Sequence, residues 1–176
     1  MGRSRKEGDR KMTDQKPISL DGSGFDVLKE AVLELLNQYP GLDGRYIVYA
    51  NLTKDGGISM EPESGALVYS EKTDIVGGVV QECQFPFFVV YRIAATNENQ
   101  KLYICEFLDT FGAWLCKEPA FIDGAAHQLN NYPELTGGRK ITSVTRFNSY
   151  ALEPNENGTQ DWVLPVTVKY NHEFTR

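Results

Sequence analysis

The sequence predicts an α+β fold: an antiparallel sheet of about five strands with two helices packed on one face, in the order α-β-β-β-α-β-β. Three observations carry that expectation. Segments 24–39 and 98–117 repeat apolar residues at three- and four-residue spacings, as one face of a helix requires. Five further segments (45–52, 66–71, 79–95, 141–152 and 162–174) are rich in β-branched and aromatic residues and are bounded by Gly, Pro and Asn. Neighbouring strand segments are mostly joined by turns, which favours antiparallel pairing.

In the first helix, Phe25, Leu28, Val32, Leu35, Leu36 and Tyr39 form the apolar stripe. Ser23 is its expected N-cap, Asp26 lies in the first turn where the helix dipole favours a carboxylate, and Pro40-Gly41 stops it. The strand 45–52, RYIVYANL, is closed by the turn Asp55-Gly56-Gly57, and 66–71 is a shorter second strand. The long third strand alternates Phe85, Phe87, Val89, Tyr91 and Ile93 with Phe88, Val90 and Arg92. Apolar residues on both sides around 87–90 predict cover on two faces, and Pro86, which cannot donate to a ladder, predicts a bulge or an edge.

Asn97 or Asn99 caps the second helix, whose expected stripe is Leu102, Cys105, Leu108, Phe111 and Leu115, flanked by Phe107 and Trp114. Pro119 ends it. Residues 118–139 are irregular and predict a short helical turn or a functional loop. Two closing strands follow, joined by the polar turn ENGTQ. The last directs Trp162, Leu164, Val166, Val168 and Tyr170 to the core and Thr167, Lys169 and Asn171 to solvent.

The 176 residues fit one domain over 21–176, preceded by a basic leader over 1–20 expected to be disordered. Residues 1–16 hold six Lys/Arg against three Asp/Glu, a balance of +3; the remainder holds 12 against 21, a balance of −9. An acidic body disfavours specific nucleic-acid binding. No apolar run reaches the roughly 20 residues that span a bilayer, so no membrane partner is expected. Three cysteines (Cys83, Cys105, Cys116) make no disulfide framework, which suits a reducing place of synthesis.

Reactive constellations are sparse. His127 and His172 belong to no metal-ligand spacing, so neither metal nor cofactor is expected. Cys116 and His127 could be imagined as nucleophile and base, although Cys116 sits where a helix end needs a small packing residue. Glu106 and Asp109 fall on the solvated side of the second helix, and no glycine pattern fits a phosphate loop. Aromatic content stands out instead. Tyr46, Tyr49, Tyr69, Tyr91, Tyr150 and Tyr170 mark nearly every strand, as contact surfaces or as half-exposed sheet positions.

Three stretches carry a resemblance: FDVLKEAVLELLNQYPGL, FPFFVVYRIAATNENQKLYICEFLDTFGAWL and WVLPVTVKY. With them the chain resembles the tail-terminator or minor capsid proteins of tailed bacteriophages, a neck and tail-completion family. The resemblance implies a non-enzymatic virion subunit, made in the bacterial host cytoplasm, that assembles into a ring, commonly a hexamer. The ring would cap the tail tube and join it to the head connector, so the implied partners are further copies of the chain, the tail tube protein and the head-tail connector protein. Candidate subunit-interface residues are Asp55, Gly56 and Gly57 in the first turn, Phe121, Tyr132 and Leu135 in the irregular segment, and Lys169 on the wet face of the last strand. Two other readings stay open: a cone-shaped enzyme or ligand-binding domain using Cys116 and His127, and a phage-encoded inhibitor of a host protein.

Overall fold

The computed structural model describes residues 16–94 and 97–176. Residues 1–15 of the expected leader lie outside them. The rest of that leader does not stand apart from the fold: Ser19–Leu20 (β1) pairs antiparallel with Val68 and Leu67, so the sheet begins before residue 21.

Helix α1 spans Gly22–Leu36, and its N-cap is Asp21, not Ser23. Asp21 Oδ1 accepts from the Gly24 N–H at 3.0 Å, while Ser23 is already helical and accepts from Arg139 Nη2 at 2.9 Å. Both residue types cap well, and only the tertiary partner decides between them. Asn37 closes the helix, and Pro40–Leu42 forms a single 3₁₀ turn. The Asn37 amide also borders the sheet: its Nδ2 donates to Ile47 O at 2.9 Å and its Oδ1 accepts from Ile47 N at 2.8 Å, as a neighbouring strand would.

Strands β2 (Ile47–Tyr49), β3 (Gly57–Pro62), β4 (Leu67–Thr73) and β5 (Gly78–Ile93) follow. After them come helix α2 (Glu98–Leu115), the hairpin β6–β7 (Ala120–Ile122 and Ala125–His127), and β8 (Arg139–Arg146), β9 (Tyr150–Ala151) and β10 (Gln160–Thr175). The larger sheet has eight strands, not about five. Its main path is β1-β4-β5-β10-β8; β3 also borders β5, β2 borders β3, and β9 borders β10. β1 and β9 are two-residue strands, too short to show alternation. β3 was hidden because its Gly57 start and Pro62 end look like turn residues.

The sheet is antiparallel except for β2–β3. That parallel pair needs no long crossover, because β2 is only three residues long and the chain between Tyr49 and Gly57 returns over about 10 Å. β5 and β10 are paired without a break from Gly78↔Thr175 to Ile93↔Gln160. Each contains a proline, and each proline faces a gap. Pro86 O accepts from Glu63 N, so the side of β5 lacking an N–H faces the space between β3 and β4, away from β10. Pro165 O accepts from Phe147 N, in the gap between β8 and β9. The expected edge at Pro86 is therefore local to one side of an inner strand.

Both helices lie on one sheet face. Phe85 and Tyr91 point the same way from β5; Phe85 meets Phe25 of α1 at 5.9 Å, and Tyr91 meets Phe107 of α2 at 5.4 Å. One buried cluster joins Leu28, Val32 and Leu35 to Phe87, Val89, Leu164 and Val166. Around it Tyr39, Phe107, Phe111 and Trp114 pack edge-on or offset, with Tyr39 to Phe111 at 4.9 Å. Asn97 caps α2, as one of the two expected residues.

The helix face is rotated from the expected stripe. Ile104, Phe107, Phe111 and Trp114 are buried, whereas Leu102 is 66% exposed and Cys105 only half-buried. Phe107 and Trp114, read from the sequence as flanks, lie in the buried face because large rings dominate it. The second face of β5 is not covered as expected: Phe88 and Val90 are half-buried. Cross-strand neighbours, Glu61 and Pro165 for Phe88 and Ser59 and Val163 for Val90, provide what shelter they have. In the irregular segment a hairpin replaces the expected helical turn. Its turn is Asp123-Gly124, both with positive φ, as a two-residue hairpin connection demands.

Candidate functional site

The seven expected interface residues are spread over separate parts of the molecule. Gly57 stands opposite Arg92, while Lys169 stands opposite Gln84, eight positions and about 27 Å along β5. Asp55, Gly57, Phe121 and Lys169 are exposed, and Gly56 is half-exposed. Phe121 is 73% exposed on the β6–β7 hairpin. Tyr132 and Leu135 instead lean on the core: the Tyr132 hydroxyl donates to Leu115 O at 3.0 Å, and Lys117 Nζ lies 4.3 Å over its ring. Of the six strand tyrosines, Tyr91 and Tyr170 are buried, Tyr49 and Tyr69 half-buried, and Tyr46 and Tyr150 exposed.

Cys116 and His127 are not brought into a shared site among the described residues. Cys116 lies after α2 in a shallow hollow with Glu118, Val144 and Arg146, and His127 closes β7. Burial pushes the Cys116 thiol up, against the opposing pull of Arg146, so it is protonated at neutral pH. Thiol labelling of Cys116 at pH 7 is therefore expected to run slower than labelling of free cysteine, as peptide mass mapping after timed alkylation would measure. Faster labelling would show an activated thiolate.

The strongest polar cluster is one that the sequence reading passed over. Asp21 accepts four hydrogen bonds: Gly24 N and Arg139 Nη2 (2.6 Å) on Oδ1, and Arg139 Nε (2.9 Å) and the Tyr170 hydroxyl (2.9 Å) on Oδ2. That fills the acceptor capacity of a carboxylate. Burial alone would raise the Asp21 pKa, but Arg139, Tyr170 and Gly24 together hold it below the ordinary value. His172 lies beside the cluster, 3.7 Å from Asp21 and 3.2 Å from Gln81, and its pKa is lowered by burial and by Arg139. Every strong donor here is engaged internally. The cluster ties the start of α1 to β8 and β10, and it is architecture.

Arg45 forms a second tie. Its guanidinium donates to Leu42 O, Gly41 O and the hydroxyls of Tyr91 and Tyr103, and it stacks 4.6 Å over Phe107. The adjoining cleft of about 280 Å³ has Asp43, Glu106 and Asp123 in its lining, and its one cation is held by these bonds. Arg92 pairs with Asp161 across β5 and β10 through two bonds of 2.6 and 2.7 Å. Among the described residues no group of His, Cys, Asp and Glu side chains could hold a metal ion, and no helix is long and apolar enough to cross a membrane.

No family model matches the chain, and no curated protein matches it. The geometry of the surface therefore carries the functional reading. Two features stand out there. The β4–β5 turn presents Ile75, fully exposed, and Val76, 80% exposed. At the outer side of β8, a groove of about 520 Å³ is lined by Tyr132, Pro133, Leu135 and Ile141 together with Lys117, Lys140 and Glu134. Sequence reading named Tyr132 and Leu135 but missed Ile75-Val76. A signal existed: two β-branched residues inside the turn DIVGG, where polar residues are usual.

Proposed function

We propose that the chain is a self-associating structural subunit: the tail-completion protein of a phage or phage-tail-like particle, which closes into a ring between tail tube and head connector. The observation that supports this most is the outward display of large apolar side chains at separated places: Ile75, Phe121, Phe147, Leu102 and Tyr46. Two of these places carry adjacent exposed pairs, Ile75-Val76 and Leu102-Tyr103, which is more than the singly scattered apolar residues of an ordinary surface. A ring needs two different patches per subunit, because each copy meets a different surface of the next. An acidic body also suits a lumen that passes DNA without gripping it. The ligand-binding alternative would need Cys116 and His127 to act together, and among the described residues no hydrogen bond or ion pair joins them.

Light scattering and native mass spectrometry over a wide concentration range, with electron microscopy of the heaviest species, test the proposal. The expected result is one discrete oligomer with ring-shaped particles. A chain that stays monomeric throughout, alone and in the presence of assembled tail tubes, overturns it.

A further inference from the structure

We propose that Ile75 and Val76 are a knob that seats in the groove formed by Tyr132, Pro133, Leu135 and Ile141 of the next copy of the chain. The inference rests on the ring reading and specifies its contact. The knob is built, not loose. Asp74 Oδ1 accepts from Val76 N at 2.9 Å and from Gly78 N at 2.8 Å, Asp74 N donates to Gly78 O, and Gly77 N donates to Asp74 O. From the far end of β10, Arg176 N donates to Gly77 O. Gly77 adopts φ +88°, a conformation that glycine takes without strain. Holding two apolar side chains in water on a turn fixed this tightly makes sense where something covers them, since a preorganised knob loses little freedom on docking.

The same chain supplies the complement. The groove is roomy enough for a branched aliphatic side chain and has apolar walls in Pro133, Leu135 and Ile141. Within one chain the two do not meet, because Ile75 is fully exposed. The sheet order sets them apart laterally: the knob joins β4 to β5, and the groove borders β8 at the opposite edge. Copies placed side by side in the same sense bring one knob toward the next groove, a head-to-tail contact. Charge agrees in sign. Asp74 and Glu173 against Lys72 leave the knob's surroundings negative, the nearby Arg176 being engaged by Glu71, while Lys117 and Lys140 against Glu134 leave the groove positive, its Arg139 being engaged by Asp21.

Two measurements test the contact. Ile75→Asp/Val76→Asp is expected to raise the concentration needed for assembly at least tenfold, with an unchanged circular dichroism spectrum. In a background with Cys105 and Cys116 replaced by serine, chains carrying Ile75→Cys are mixed with chains carrying Pro133→Cys. An interchain disulfide is expected in the mixture and in neither chain alone. If the wild-type chain assembles while the double variant assembles equally well and the mixture yields no such bond, the contact is wrong and the ring reading stands. If the wild-type chain remains monomeric, alone and with assembled tail tubes, and no bond forms, both fall.

Discussion

Asp21→Ala is expected to destabilise the protein more than any other single polar substitution, by roughly 3–5 kcal/mol for the buried charge left on Arg139, with about 1 kcal/mol more for the lost helix cap. Arg139 would keep only Gly137 O and Ser23 Oγ, and the Tyr170 hydroxyl would lose Asp21 Oδ2 as its acceptor. For a chain of this size the melting temperature should fall by roughly 10–20 °C, measurable by calorimetry. Asp21→Ala with Arg139→Met should recover part of that loss, because removing both charges removes the unpaired one. A change of less than about 2 °C in the single variant would mean that the pair contributes little.

The same cluster sets the response to acid. Asp21 has a lowered pKa in the fold, so it binds fewer protons folded than unfolded near and below its ordinary value of 3.8. Its contribution is complete above that value and is lost as pH falls through the folded pKa. His172 acts in the same direction from a higher starting point. Its pKa lies below the ordinary 6.5, so stability begins to decline as pH falls below that value and the unfolded imidazole takes up a proton first. In Asp21→Ala the decline tied to the carboxylate should vanish from a plot of stability against pH.

Phe111→Ala is expected to cost about 3–5 kcal/mol. Its ring is fully buried and packs against both Tyr39 and Phe107, so truncation opens a cavity between α2 and the turn after α1. Leu102→Ala, on the same helix, should change stability by less than about 0.5 kcal/mol, because its side chain is mostly in water. Urea unfolding of both variants checks the pair, and similar losses would return Leu102 to the buried face.

That contrast shows what was legible in the sequence. The core alternation of β10 and β5 could be read residue by residue, because a strand's period of two leaves little ambiguity. The face of α2 could not. Leu102, Cys105, Leu108 and Phe111 at three-residue steps drift around a helix of 3.6 residues per turn, and two large rings beside them decide which side is buried. The Asp21–Arg139 pair was beyond reach for another reason: its partners are 118 residues apart, and neither sits in a local motif that names the other. Ile75-Val76 was readable as an anomaly, since apolar residues in a tight turn contradict its chemistry, but its complement at the far edge requires the folded sheet.

The unbroken ladder between β5 and β10 also governs how the chain finds its shape. Its partners are separated by 67 to 97 positions, so the central pairing of the sheet closes a long loop containing α2, the small hairpin and β8. Folding should be slow, in the manner of proteins dominated by non-local contacts. Until β10 arrives, Phe85, Phe87 and Val89 border an open strand edge, and sticky encounters between incomplete chains compete with proper closure.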